Sequence, residues 1–324
     1  MEAEPGQKIS DRVTLVKQLA SGSMGVVWIA EHETLKTRVA VKLLHKRFKE
    51  AQPSASRRFA LEASAAAGIS SPYVVRTFDH GVTKDGTQFI VMELLKGENL
   101  AERMERDGAL PIEDTITIAT QTAKALSAAH ALELVHRDIK PANIFLTQEH
   151  GEIFVKVLDF GVVKQLAGGA DAPKLSEPGM LLGTPAYMSR DLVVTSGGQA
   201  NPQVDLWSLA VVLYRCLTGI LPFPGDTASD VLKSIVAVAY QKPSEIRREL
   251  GPKVDAWFER AFHREPDKRF RNAEEFASTF RALFAAAPPR KRQPVPLFVG
   301  AALVLAGAIA VGSLWSSTPT QSRP

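Results

Sequence analysis

Between residues 13 and 44 the apolar positions come in short β-branched runs, Val13-Thr14-Leu15-Val16, Val26-Val27-Trp28-Ile29 and Val39-Ala40-Val41, separated by polar turns. Runs of this length and composition predict strands. Over 54–68 the period changes. Phe59, Ala63, Ala66 and Ala67 fall at helix-compatible spacing among strong helix formers, which predicts a helix carrying Glu62. Strand-like runs return near 74–78 and 89–92. Beyond Gly97 the pattern becomes mainly helical, with periodic stretches over 116–132, 204–217 and 273–284. The second of these stops at Gly219 and Pro222, and the third opens on Glu274 and Glu275, as helix ends do. A small β-rich front and a larger helical back are predicted, an α+β class with no internal repeat.

The carboxy-terminal pattern differs from everything before it. No charged residue lies between Gln293 and Gln321, and 295–315 is apolar almost throughout. As a helix that stretch reaches ~31 Å, the thickness of a bilayer's hydrocarbon core. A single transmembrane helix is predicted. Arg281, Arg290, Lys291 and Arg292 precede it and only Arg323 follows, so the larger amino-terminal part is expected on the cytoplasmic side of the cell (inner) membrane. Residues 316–324 form a short external tail, so the span is expected to anchor rather than to sense a ligand. Ala302, Ala306 and Ala310 share one helix face, which permits a homodimer through the span.

Composition narrows the class. With 324 residues, 45% hydrophobic and 23% charged, the chain is globular and long enough for a bilobal domain. The net charge of +4 is partly concentrated in Arg290-Lys291-Arg292, which is no basic stripe, so nucleic acid is not an expected partner. Cys216 is the only cysteine and sits in an apolar run, which excludes an internal disulfide and a cysteine zinc site. The polar start, 1–10, is no secretory signal.

The candidate chemistry is concentrated in a few segments. Ala20-Ser21-Gly22-Ser23-Met24-Gly25 is a glycine-rich turn between predicted strands, able to bring backbone N–H groups to phosphate oxygens but equally a plain connection. Lys42 ends a strand, where an ammonium can reach phosphate or simply face water, and Glu62 is placed to meet it. The segment 135–145 is far more specific. It holds His136-Arg137-Asp138, then Lys140 and Asn143, between apolar residues that would fix such a loop. A strand, 155–158, then delivers Asp159-Phe160-Gly161. Carboxylate and amide oxygens are the hard ligands that Mg²⁺ takes.

On these motifs the chain resembles the bacterial eukaryotic-like (Hanks-type) protein serine/threonine kinases over about residues 12–285. The resemblance implies a bilobal protein-kinase-like fold: a tail 1–12, an N-lobe 13–96 and a C-lobe 97–285, then a basic juxtamembrane linker 286–294. It implies ATP as co-substrate, with Mg²⁺ or Mn²⁺, and protein Ser/Thr hydroxyls as acceptors. Gly22 and Gly25, with Ala20 in the first glycine position, would cover the phosphates. Val27 and Ala40 would line the nucleotide site, and Lys42 would contact the α- and β-phosphates while pairing with Glu62. Met92 would be the gatekeeper, with Glu93 and Leu95 meeting adenine through their backbones. Asp138 would accept the hydroxyl proton, Lys140 would approach the γ-phosphate, and Asn143 and Asp159 would hold the metal. Lys140 and Thr184 mark serine or threonine, rather than tyrosine, as acceptor.

Further expectations follow from the same resemblance. The helix bearing Asp205, Trp207 and Ser208 would anchor the catalytic loop, and 183–188 would face the acceptor. Arg137 beside Asp138 would pair with a phosphate on Ser176 or Thr184. The chain departs from the family at Arg190-Asp191, where a Pro-Glu pair is usual. With one methylene fewer, Asp191 is expected to meet Arg269 only through a stretched or water-bridged pair. The alternative to an enzyme is a membrane-tethered pseudokinase scaffold.

Overall fold

The structure, a computed structural model, describes residues 3–22, 25–45, 67–149, 151–159, 185–195 and 201–285. Glu62, Ser176, Thr184 and the apolar stretch 295–315 lie outside the described residues. Among the described residues no helix is long and apolar enough to cross a membrane.

The front is an antiparallel sheet of six strands: β1 (Lys8–Ser10), β2 (Val13–Ser21), β3 (Gly25–His32), β4 (Thr37–Leu44), β5 (Thr77–Val82) and β6 (Gln88–Glu93). Their order is β1-β2-β3-β4-β6-β5. Alternation along each strand sorts the side chains between two faces. Trp28 pairs with Val41 and Val41 with Val91, so these share one face, and with Ile9, Val13, Leu15, Leu43 and Phe89 they form a buried cluster. The other face carries Val27 opposite Lys42 and Ala40 opposite Met92. Four of the residues singled out for a nucleotide therefore line up on one surface through strand register alone.

Two boundaries differ from the sequence reading. The sheet starts before residue 13, because Ile9 (4% exposed) belongs to the core and draws Lys8–Ser10 alongside β2. The run at 74–78 is split. Val75 N–H donates to Val157 O at 3.0 Å and Val157 N–H to Tyr73 O at 2.7 Å, which ties 73–75 to the back of the molecule. The strand proper begins only at Thr77.

The back contains a small sheet, β7 (Glu98–Asn99), β8 (Ile144–Glu149) and β9 (Glu152–Val157), among helices. Helix α1 (Leu100–Asp107) starts in a capping box. Asn99 Oδ1 accepts from the N–H groups of Ala101 and Glu102, and Glu102 Oε2 accepts from Asn99 N–H. Next come α2 (Ile112–His130), the short α3 (Arg190–Val194) and α4 (Gln203–Thr218). Helix α4 is buried on almost every side and ends on Gly219 at φ 80°. Around it lie α5 (Ala228–Ala237), α6 (Pro243–Ile246), α7 (Gly251–Ala261) and α8 (Ala273–Leu283). Trp207, Tyr214, Phe223, Phe258 and Phe262 are all at most 1% exposed, and each such side chain contributes roughly 2–3 kcal/mol on burial. Cys216 is buried among them, and burial pushes its thiol well up from the usual thiol range, so it packs as an inert hydrophobe. The division between a β-rich and a helical lobe is thus a division between a thin core and a thick one.

Candidate active site

The segment 136–143 leaves α2 and runs over α4. Buried Asp205, on α4, accepts from the N–H of His136 at 2.8 Å and of Arg137 at 2.7 Å. His130 Nε2, at the end of α2, lies 2.8 Å from the same carboxylate. One carboxylate with several donors is a strong anchor, because each charge-assisted bond is worth more than a neutral one. It also supports Arg137 at φ 63°, a conformation that a non-glycine residue holds only when its surroundings enforce it. The Arg137 guanidinium is pressed below its ordinary value by burial, against the opposing pull of Asp205.

Inside the loop the side chains converge. Lys140 Nζ is 2.7 Å from Asp138 Oδ2. Asn143 Nδ2 donates to Asp138 O at 2.8 Å and to Asp138 Oδ2 at 3.1 Å, which fixes the amide with its oxygen on the opposite side. The neighbouring loop is tied in by two bonds. Leu158 N–H donates to Asn143 O at 2.9 Å, and His136 Nε2 lies 2.9 Å from Leu158 O. Asp159 then sits at φ 47°, a second left-handed non-glycine residue beside the first loop.

Lys42 reaches this cluster from the front sheet, its Nζ 2.8 Å from Asp159 Oδ1. Burial pushes the Asp159 carboxyl up, but the charge and hydrogen bond of Lys42, with His136 and Lys140 behind them, together hold the group below its ordinary value. The carboxylate stays open on one side, at 43% exposure, against 12% for Lys42. Among the described residues no group of three or more His, Cys, Asp or Glu could hold a metal. Asn143 and Asp159 offer oxygen donors of the kind that suits an ion taking most of its ligands from phosphate and water, as Mg²⁺ does.

The glycine-rich turn closes with Gly22 N–H donating to Gly25 O at 2.9 Å. Gly25 has a packing reason to be glycine as well, since a Cβ there would meet Leu43 O at 2.1 Å. Ala20 lies within β2 opposite Val27 and outside the positive-φ region, so its methyl is accommodated in the first glycine position. At the end of β6, the Glu93 carboxylate accepts from Arg76 N–H at 2.7 Å and from Lys156 Nζ at 2.8 Å, tying this strand end to β9. The chain then passes over β8 at Gly97, with φ 144°, where a Cβ would collide with Leu146 O at 2.0 Å.

The pair expected to be stretched or water-bridged is direct. Arg269 Nη1 is 2.6 Å from Asp191 Oδ2 and Nη2 is 3.1 Å from Oδ1, a two-pronged fit. Arg269 is brought close by its own anchors, an Nε bond to His263 O at 2.7 Å and a position 4.8 Å over the Trp207 ring. The guanidinium supplies the reach that the shorter acid lacks. Sequence reasoning missed His130, Lys156 and Gln121, whose amide accepts from Val155 N–H at 2.7 Å. Only His130 left a trace, as a polar residue closing a predicted helix just before the loop.

The family described as "Protein kinase domain" matches residues 13–280. This chain belongs to that family. It is 35% identical over 301 residues to the serine/threonine-protein kinase PknA of Mycobacterium tuberculosis, covering 91% of this chain and 67% of that protein. A probable serine/threonine-protein kinase of Clostridium perfringens is 34% identical over 270 residues, 83% of this chain and 38% of that one. The crystal structure of the Mycobacterium tuberculosis PknI kinase domain superposes with a TM-score of 0.67 at 25% identity, covering 87% of this chain and all of that domain. The kinase is of the bacterial Hanks-type serine/threonine group, and the bilobal fold follows. Family membership implies ATP, a divalent ion and protein substrates.

Proposed function

We propose that this kinase transfers the ATP γ-phosphoryl group to serine or threonine hydroxyls of proteins, itself among them, through the cluster of Asp138, Lys140, Asn143, Asp159 and Lys42. The observation that carries the reading is the meeting of the two lobes at Lys42 and Asp159, 2.8 Å apart, next to the bonded set Asp138, Lys140 and Asn143. Asp138 orients the acceptor hydroxyl and takes its proton, a contribution of ~10²–10⁴ in rate. Lys140 steadies the Asp138 carboxylate and offers positive charge where the transferring phosphoryl group gathers negative charge. Lys42 orients the α- and β-phosphates, and Glu62 is assigned as its second carboxylate partner. Asn143 and Asp159 would hold Mg²⁺ or Mn²⁺, which supplies neutralisation of phosphate charge. Val27, Ala40 and Met92 face the adenine side of the cleft, Gly22 and Gly25 cover the phosphates, and the backbones of Glu93 and Leu95 meet the base. A pseudokinase scaffold is not favoured, because Lys42, Asp138, Asn143 and Asp159 are all present.

The test is transfer from γ-labelled ATP to a protein acceptor by the full chain and by Asp138→Asn. We expect label from the native chain and a fall in kcat of ~10³ in the variant. Equal labelling by both would overturn the assignment. Mass spectrometry of the labelled chain tests Ser176 and Thr184 as phosphate acceptors that Arg137 would pair with, and no phosphate on either residue would discard them.

The same proposal places the enzyme at the cytoplasmic face of the inner membrane, anchored through 295–315. Its support is the charge-free apolar run and the basic residues before it. Ala302, Ala306 and Ala310 offer a seam for a second copy. The full chain should resist alkaline extraction from membranes and residues 1–290 should not. Release of both by alkali would remove the anchor.

A further inference from the structure

Arg190 stands where the kinase family usually has proline, and the structure gives this arginine specific partners. Its Nε donates to Val236 O at 3.1 Å and its Nη1 to Arg264 O at 3.4 Å. Val236 is in the last turn of α5, whose carbonyls have no partner within the helix. The next carbonyl, Ala237 O, accepts from Arg264 Nη2 at 2.7 Å. Two guanidiniums thus cap one helix end, where cations are favoured by the helix dipole. The end is otherwise a costly one: α5 closes on Val238 at φ 53°, a left-handed conformation for a β-branched residue.

Helix α5 is held at its other end by the Thr227 cap on Asp230 N–H and by Ser234 Oγ, which donates to Pro224 O at 3.0 Å. Only Val231 and Ile235 are buried in it, and it packs on Pro185–Tyr187 and on α3. The segment it packs against is, by contrast, fixed to the interior. Ser208 Oγ donates to Tyr187 O at 2.7 Å, and Arg215 Nη1 to Tyr187 Oη at 2.8 Å. Asp191, next in sequence to Arg190, is gripped by Arg269. Three pieces therefore meet at one joint: the segment 185–194, the loop 263–269 and the carboxyl end of α5. Val236 is exposed on α5 and Val194 on α3, whereas Leu232 packs against the core.

We propose that Arg190 is a positioning residue that sets α5 against the 185–194 segment, and through it the surface that a protein substrate meets beyond its acceptor residue. This rests on the proposed role of 183–188 in facing the acceptor. Arg190 touches neither the nucleotide side of the cleft nor the Asp138 cluster, so its effect falls on the KM for a protein acceptor.

The test uses the full chain and Arg190→Pro. Ser189 caps α3, its Oγ accepting from Leu192 N–H at 3.3 Å, so residue 190 is the first helical position, where proline is well tolerated. The variant keeps the helix and removes only the guanidinium. Myelin basic protein serves as acceptor, with an octapeptide from its labelled site as a substrate confined to the acceptor's immediate neighbours. We expect KM for the protein to rise about fivefold, with KM for ATP and for the octapeptide unchanged. Arg264→Ala should move KM in the same direction, because it uncaps the same helix end. A protein KM within twofold of the native value would overturn the inference. So would an equal rise for protein and octapeptide, or a fall in thermal stability without any change in KM. Transfer by the native chain reports separately on the proposed function.

Discussion

Two carboxylates organise the cleft, and they are held in opposite ways. Asp205 has no exposed surface and binds backbone N–H groups of the loop that carries Asp138. Asp159 is 43% exposed, and its ion pair crosses to Lys42 in the other lobe. The first arrangement is completed by folding of the C-lobe. The second needs both lobes. Buried charge with backbone donors stabilises strongly when complete and costs heavily when broken, whereas a partly exposed ion pair contributes little to stability. Stability therefore rests mainly on Asp205, and the joining of the two lobes on Asp159.

Asp205→Ala would break the comparison from its buried side and has the largest expected effect. Two backbone donors, of His136 and Arg137, lose their acceptor in a dry interior. A loss of about 3 kcal/mol is expected, read as a lower denaturant midpoint. Asp138 also loses its fixed position, so kcat should fall by ~10². An unchanged midpoint would mean that the carboxylate is not the anchor described. Lys42→Met attacks the other side. There kcat/KM should fall by ~10²–10³ while stability stays within about 1 kcal/mol. A stability loss as large as that of Asp205→Ala would erase the distinction between the two acids.

How far each side could be read in advance follows the same division. Strand periodicity marked β2, β3, β4 and β6, and alternation puts Ala40 and Lys42 on one face, to which strand register adds Val27 and Met92. The motif 136–143 with Asp159 identified the cleft because its residue types are dense in chemistry. Tertiary partners were harder. Asp205 was assigned to an anchoring helix by resemblance, but nothing local shows that His130 shares its carboxylate, since the bond joins residues distant along the chain. The Asp191 pair was misjudged for a physical reason: side-chain length was counted on the acid alone, while the position of Arg269 is set by His263 O and the Trp207 ring. Arg190 looked like a lost proline and proved to have carbonyl partners on α5 and the 263–269 loop. Strand β1 was taken for tail because three residues are too few to show a period.

The smallest effect is a matter of pH, and it sharpens the comparison most. Burial raises the Asp159 carboxyl, and Lys42, His136 and Lys140 together lower it further than that, so its folded value lies below the ordinary 3.8. A carboxyl lowered on folding adds stability that is fully present above its unfolded value and is lost as pH falls through the folded one. For the native chain the contribution of the pair is thus complete above about pH 5 and declines below the ordinary carboxylate range. In Lys42→Met the largest lowering influence is gone and burial remains, so Asp159 should titrate at higher pH than in the native chain. Thermal midpoints of both proteins measured from about pH 3 to pH 7 should therefore differ by a constant amount at the upper end and converge as acid protonates Asp159. A difference that stays flat through the acid range would mean that Asp159 is not held by Lys42. In that case the cleft would be set, like the loop around Asp138, by the C-lobe alone.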